Sequence, residues 1–236
     1  MAVKAPEKKA VKGAADTSAD RILRDRAYKV VSALEERYPD ALCSLEHCGD
    51  PWKLLVMARL SAQTTDAQVN IVSVGLFEAY PDVYSMAAAD VSDVERLVHS
   101  CGFFRTKARN IVDFSRIIVE KHGGSVPSSF DDLLALPGVG RKIANLIRGD
   151  VFGLPAVVAD THCIRIANRL GLSRSTDQYK TELALAELIP EEKQSDFCHR
   201  IVLFGREICD AKKPKCDICP VCGVCPSRGG DKPEKR

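Results

Sequence analysis

The sequence predicts an all-α chain, on two observations. Apolar residues recur at every third or fourth position through about ten segments, and no segment alternates apolar with polar residues as a half-buried strand does. Ile22, Leu23, Val30, Val31 and Leu34 mark a first amphipathic helix that begins near Arg21 and stops near Pro39. The same periodicity predicts helices over Trp52 to Leu60, Val69 to Ala79, Val91 to Val98, Thr106 to Glu120 and Phe130 to Leu136. It continues over Arg141 to Val151, Thr161 to Leu170, Tyr179 to Ile189 and Phe197 to Ile208. Residues 1 to about 18 mix Ala, Lys, Gly and Ser without apolar periodicity, so a disordered tail is expected there, and residues 227–236 read as a flexible C-terminal tail.

With 236 residues, 45% of them hydrophobic, the chain can bury one large core or two modest ones. No run of about 18 apolar residues suggests a membrane span, and the N-terminus lacks the apolar centre of a secretory signal. The tail carries acids as well as lysines, which argues against an organellar transit peptide. An intracellular protein with no membrane partner is therefore expected. A formal charge of +2 is small for a nucleic-acid binder, so any such affinity must come from local clusters of Lys and Arg.

The most informative stretch is Leu136-Pro137-Gly138-Val139-Gly140-Arg141-Lys142, with Asp160 eighteen residues after Lys142 in Val158-Ala159-Asp160-Thr161-His162. Pro137 and the two glycines make a tight turn that leaves backbone N–H groups unshielded, and an apolar helix pattern (Ile143, Leu146, Ile147) starts at once. Amides at a helix start bind anions. A gripped phosphate beside an amine and a carboxylate suggests chemistry at a sugar in DNA. A lysine attacks as a nucleophile only when unprotonated, so burial or a cationic neighbour such as Arg141 is expected to act on Lys142. Asp160 also stands where a helix N-cap is common, and the capping and catalytic roles are compatible. His162 and His199 read as packing residues.

The ten cysteines divide unevenly. Cys43, Cys48, Cys101, Cys163 and Cys198 are scattered and read as core thiols, and five more lie between Cys209 and Cys225. Thiolates at such short spacing can converge on a metal centre that orders an otherwise short, Pro-containing tail. Zinc and a [4Fe–4S] cluster both accept four cysteines, so spacing alone leaves the metal open.

Three motifs in order resemble one family. Leu136 to Lys142 resembles the helix-hairpin-helix of base-excision DNA glycosylases, and Lys142 with Asp160 resembles its bifunctional endonuclease III branch. Leu60-Ser61-Ala62-Gln63-Thr64-Thr65-Asp66 is similar to a further family segment, and Cys209, Cys216, Cys219 and Cys225 have the family's C-x6-C-x2-C-x5-C spacing. Cys222 departs from the pattern by making an evenly spaced run from Cys216 to Cys225; it reads as a spare thiol, with ligation as the alternative.

The resemblance implies two lobes: a six-helix barrel over residues 44–154 that carries the hairpin, and a helical domain from residues 19–43 and 155–226 that carries a [4Fe–4S] loop. It implies a monomeric, DNA-associated glycosylase and AP lyase acting on damaged double-stranded DNA. Oxidised pyrimidines such as thymine glycol would be removed through a Lys142 Schiff base, and the strand cut 3′ to the site by β-elimination, with Asp160 as the catalytic carboxylate. Gln63 would fill the gap left by an extruded nucleotide, with Asp66 near the substrate pocket. Gly138, Val139, Gly140 and Arg141, with Lys212, Lys213 and Lys215 in the cluster loop, would hold the DNA backbone. A monofunctional adenine glycosylase is disfavoured by Lys142; an AP lyase with little base excision and a non-enzymatic DNA-binding redox module stay open as alternatives.

Overall fold

The computed structural model describes residues 17–228, so all but two residues of each expected tail, 1–18 and 227–236, lie outside the described residues. The described residues are all helical in their regular structure and contain no strand. Helix α1 (Ser18–Arg37) starts three residues before Arg21, within the stretch expected to be disordered. A capping box explains the earlier start: Asp20 N–H donates to Thr17 Oγ1 (3.2 Å) and Thr17 N–H donates to Asp20 Oδ2 (3.0 Å).

Helices α2 (Pro51–Leu60), α3 (Asp66–Ala79), α4 (Val83–Ala87), α5 (Val91–Leu97), α6 (Phe104–His122) and α7 (Phe130–Leu134) lead into α8 (Arg141–Asp150). Their buried side chains, from Leu45 to Ile147, form one continuous core. Helices α9 (Thr161–Arg169), α10 (Gln178–Leu188) and α11 (Gln194–Glu207) form a second core with α1, which supplies Ala27, Val30, Val31 and Leu34. Leu146 of α8 packs against both. The second core is tight where α9 meets α11: a Cβ on Gly205 would stand 2.7 Å from His162 Nδ1 and 2.8 Å from Ile166 Cδ1.

Helix α4 is absent from the apolar periodicity because five residues are too few to show it. Local and long-range contacts specify it instead. Asp82 and Ser85 form a capping box, Val83 and Met86 are buried, and Arg116 of α6 donates to Ala87 O (2.9 Å) and Ala89 O (3.2 Å) beyond its end. Among the scattered cysteines, Cys101, Cys163 and Cys198 are buried as expected. Cys48 is not a core thiol: it is exposed, at φ +52° in a turn with Gly49.

The two cores are tied at the end of α8. Asp150 Oδ1 accepts from Ser195 Oγ (2.7 Å) and His199 Nε2 (2.8 Å), both on α11, and its side chain is 7% exposed. Burial pushes this carboxyl up, yet the bonds and charge from His199, with Ser195 and Cys43, outweigh it and hold its pKa below the ordinary aspartate value. A group lowered on folding stabilises above its unfolded pKa and loses that contribution as pH falls through the native one. Asp150→Asn is expected to cost about 1–3 kcal/mol at neutral pH. The difference from wild type should shrink below about pH 4. Urea unfolding at pH 7 and pH 3 checks this; equal stabilities at pH 7 would refute it.

Candidate functional site at the head of helix α8

The turn before α8 is built around Gly138. Its φ is +76°, and an added Cβ would stand 2.5 Å from Asn110 Oδ1 and 2.6 Å from Arg59 Nε, so no side chain fits. Asn110 Oδ1 in turn accepts from Arg59 Nε (3.1 Å) and Nη2 (2.9 Å), which bonds α6 to α2 beneath the turn. Val139 is buried and its N–H closes on Leu136 O (3.1 Å), so this residue holds the turn from inside. Gly140 is the N-cap of α8 and supplies no side-chain cap, which leaves the first-turn amides without the partner a Ser or Asp would give. Lys142 is exposed at the second position of this helix.

Asp160 reaches the same place by a different route. The segment Ala156 to Ala159 is buried between the cores, with Asn145 Nδ2 of α8 donating to Val157 O (3.0 Å) and Val158 N–H donating to Cys198 Sγ of α11 (3.2 Å). The chain then emerges at Asp160, which caps α9 by accepting from Cys163 N–H at 2.7 Å. Lys142, Asp160, Asp66, Arg59 and Arg206 all line one cleft of about 350 Å³ between the two cores, with Gly138 and Gly140 on its rim.

Two of the charges in this cleft, Asp66 and Arg206, are paired. Asp66 Oδ2 accepts from Ser44 Oγ (2.7 Å) and Arg206 Nη2 (2.9 Å). Burial raises the Asp66 pKa, but these two bonds and the charges of Arg206 and Lys142 outweigh it and hold the carboxyl below its ordinary value. Arg141 does not serve as the cationic neighbour expected for Lys142. Its guanidinium is taken up by Glu182 of α10 (3.0 and 2.5 Å) and lies over the rings of Phe130 and Tyr179, at 4.6 and 4.3 Å from their centres. The cleft cations are Arg206 and Arg59, which no sequence motif marked. Burial is the main cause that lowers the His162 pKa, against the nearby Asp160 carboxylate.

Gln63 is exposed in the loop between α2 and α3 with φ +57°, a left-handed conformation uncommon outside glycine. Beside it stands a residue that the sequence reading passed over. Phe103 precedes α6 with φ +58° and is 68% exposed, and the backbone of its neighbour Gly102 approaches Gln63 O so closely that a Cβ there would lie 3.9 Å away. Two exposed left-handed residues, one polar and one aromatic, therefore stand on neighbouring stretches of backbone. The only sequence signal for Phe103 was an aromatic pair following glycine.

In a second cavity, of about 260 Å³, Cys209, Cys216, Cys219, Cys222 and Cys225 all line the wall. Arg169 fixes its rim by donating to Asp210 O (2.6 Å), Ala211 O (2.7 Å) and Cys209 Sγ (3.4 Å). Burial, then the neighbouring Cys209, Cys222 and Cys225, pushes the Cys219 thiol up to about 11. Among the described residues no three His, Cys, Asp or Glu side chains meet at a point that would suit a single ion. Five cysteines on one cavity supply the four thiolates that a four-iron core would take, one per iron. Lys212, Lys213 and Lys215 are exposed on the adjoining loop, whose turn is set by Asp210 Oδ1 accepting from the N–H groups of Lys212 (2.8 Å) and Lys213 (3.0 Å).

The described residues are all helical, and a glycine turn opens α8 onto a cleft that holds a lysine and two aspartates. The model of the HhH-GPD superfamily of base excision DNA repair proteins matches residues 56–191. Endonuclease III of Synechocystis is 44% identical over 86% of this chain and 93% of its own length, and that of Bacillus subtilis is 40% identical over 85% and 91%. A trapped covalent intermediate of an endonuclease III with DNA superposes with a TM-score of 0.81 at 39% identity, covering 86% of this chain and 95% of that one. A thermostable thymine-DNA glycosylase shares the fold, with a TM-score of 0.75 at 22% identity. The chain belongs to the endonuclease III family, and it is a DNA glycosylase and AP lyase.

The Asp66 environment gives a direct test of the cleft electrostatics. Arg206→Met removes a hydrogen bond and a charge that both lower the Asp66 pKa, so that pKa should rise. Carboxyl titration by NMR reads the change; an unmoved Asp66 would mean that Arg206 does not govern it.

Proposed function

We propose that this enzyme excises oxidised pyrimidines such as thymine glycol from double-stranded DNA and cuts the strand 3′ to the resulting abasic site. The observation that carries this reading is the shared cleft of Lys142 and Asp160 at the uncapped start of α8. Phosphates would rest on the α8 amides and on Lys212, Lys213 and Lys215, which position the duplex without reading its sequence. Gln63 and Phe103 would occupy the space left in the stack when the damaged nucleotide turns out into the cleft. With its side chain held by Glu182, Arg141 would reach a phosphate through its backbone amide.

The chemistry follows from the groups in the cleft. The Lys142 amine attacks C1′, a C–N bond forms, and the damaged base leaves with its bonding pair. Ring opening gives a Schiff base, which acidifies the C2′ proton; loss of that proton forms the C2′–C3′ double bond and expels the 3′ phosphate. Asp160 stabilises the cationic sugar or takes a proton, from a position fixed by its cap on α9. The Arg206–Asp66 pair shares the cleft with Lys142 and contributes to its local field.

Cys209, Cys216, Cys219 and Cys225 would hold a [4Fe–4S] cluster, with Cys222 facing the same cavity as the fifth thiol. The cluster would supply order to the basic loop, and the reaction needs no electron from it. Cys216→Ser is expected to lower both thermal stability and duplex affinity, read by melting and by DNA titration. Unchanged values for both would refute a structural cluster.

Two variants test the catalytic assignment. Lys142→Ala should bind duplex within about threefold of wild type yet form no adduct with thymine-glycol or abasic duplexes under borohydride. Adducts on the abasic duplex alone would favour the AP lyase reading, and none with wild-type enzyme would favour a binding module. Asp160→Asn keeps a good N-cap while removing the charge, so stability should change by less than about 0.5 kcal/mol. Turnover should fall about 100-fold or more. A folded Asp160→Asn enzyme of normal rate would remove Asp160 from the mechanism.

A further inference from the structure

The first core buries an ammonium that the cleft chemistry does not use. Lys107, in the first turn of α6, is 1% exposed. Its Nζ donates to Leu60 O at 2.7 Å and to Thr64 Oγ1 at 2.9 Å, and its backbone N–H donates to Phe103 O at 3.1 Å. Leu60 is the last residue of α2, so the charge also sits at the negative end of that helix. Burial draws the lysine's pKa below its ordinary value, against the neighbouring Cys101 thiol. Keeping a charged group here is unfavourable unless its bonds do something an apolar side chain would not.

What those bonds join is specific. The ammonium ties both flanks of the 61–63 turn, at Leu60 and Thr64, to the first turn of α6, whose own helix bond from Lys107 N–H to Phe103 O holds Phe103 at the helix start. Gln63 and Phe103 both hold left-handed backbone, a state that non-glycine residues keep only where surrounding contacts impose it. Their backbones run close together, since a Cβ on Gly102, next to Phe103, would lie 3.9 Å from Gln63 O.

We infer that Lys107 is a positioning residue for duplex engagement: it brace-locks the α2–α3 loop to the start of α6 so that Gln63 and Phe103 enter the DNA stack as one rigid wedge. The inference rests on the proposed gap-filling role of those two residues. A brace of this kind acts only on substrates that have a stack to enter. A merely structural lysine would affect every substrate alike.

The test compares AP-lyase kcat/KM on an abasic site in a duplex and on the same site in a single strand. Lys107→Met and Thr64→Val are measured, the second being isosteric, so it keeps the buried charge and tests the brace if the first fails to fold. The duplex-to-single-strand ratio is expected to fall about tenfold in Lys107→Met and about threefold in Thr64→Val. Adding Thr64→Val to a Gln63→Ala, Phe103→Ala enzyme should lower the ratio no further. An unchanged ratio in folded Thr64→Val, or a full additive loss in the combined variant, overturns the role of Lys107. If the Gln63→Ala, Phe103→Ala enzyme keeps the wild-type ratio, the gap-filling reading itself fails and the brace falls with it.

Discussion

The buried contact of Asp150 with Ser195 and His199 is the constraint on which the cleft depends. Asp150 ends α8 and Lys142 lies near its start, while His199 and Arg206 lie two turns apart on α11. Helices are stiff over such lengths, so fixing one end of each fixes the other. The carboxylate therefore sets how far the lysine stands from the Asp66–Arg206 pair at the mouth of the cleft. Asn145, one turn from Lys142, adds a second tie by holding Val157, and through that segment the position of Asp160. A polar seam between two apolar cores is thus what gives the reactive groups a common frame.

Three cations, Arg59, Lys142 and Arg206, stand against two carboxylates, Asp66 and Asp160, in the cleft, and partners elsewhere select which arginines face it. Arg59 and Arg206 are turned inward by Asn110 and Asp66, whereas Arg141, adjacent to Lys142 in sequence, is withdrawn by Glu182 and two aromatic rings. That clamp between α8 and α10 gives Arg141 a packing role that its neighbourhood disguised. A helix turns successive side chains about 100° apart, so adjacent residues at its start face different surroundings.

What could be read in the chain beforehand was what short-range rules encode. The glycine turn, the periodic helices, the helix-start aspartate at 160 and the crowded cysteines all follow from spacing within a dozen residues or so. Helix α4 escaped because its five residues are stabilised by a capping box and by Arg116, which is distant in sequence. Arg59, Arg206, Phe103 and Lys107 escaped for a related reason. Each gains its significance from partners on another helix, and nothing in its own neighbourhood separates it from an ordinary surface cation, exposed aromatic or solvated lysine. Cys48 went the other way, exposed by a left-handed turn that composition does not announce.

The division of the second core between α1 and the segments from Val157 onward has a consequence for biosynthesis. As the chain leaves the ribosome, α1 appears first with its stripe of Ala27, Val30, Val31 and Leu34 and finds no helix to cover it. The first core, drawn from residues between Leu45 and Ile147, can assemble next from contiguous sequence. Only when α9 and α11 emerge can α1 be covered, and only then does Asp160 share a cleft with Lys142. The order of synthesis thus makes the cleft a late feature of the protein, and a chain truncated after α8 holds Lys142 but not Asp160.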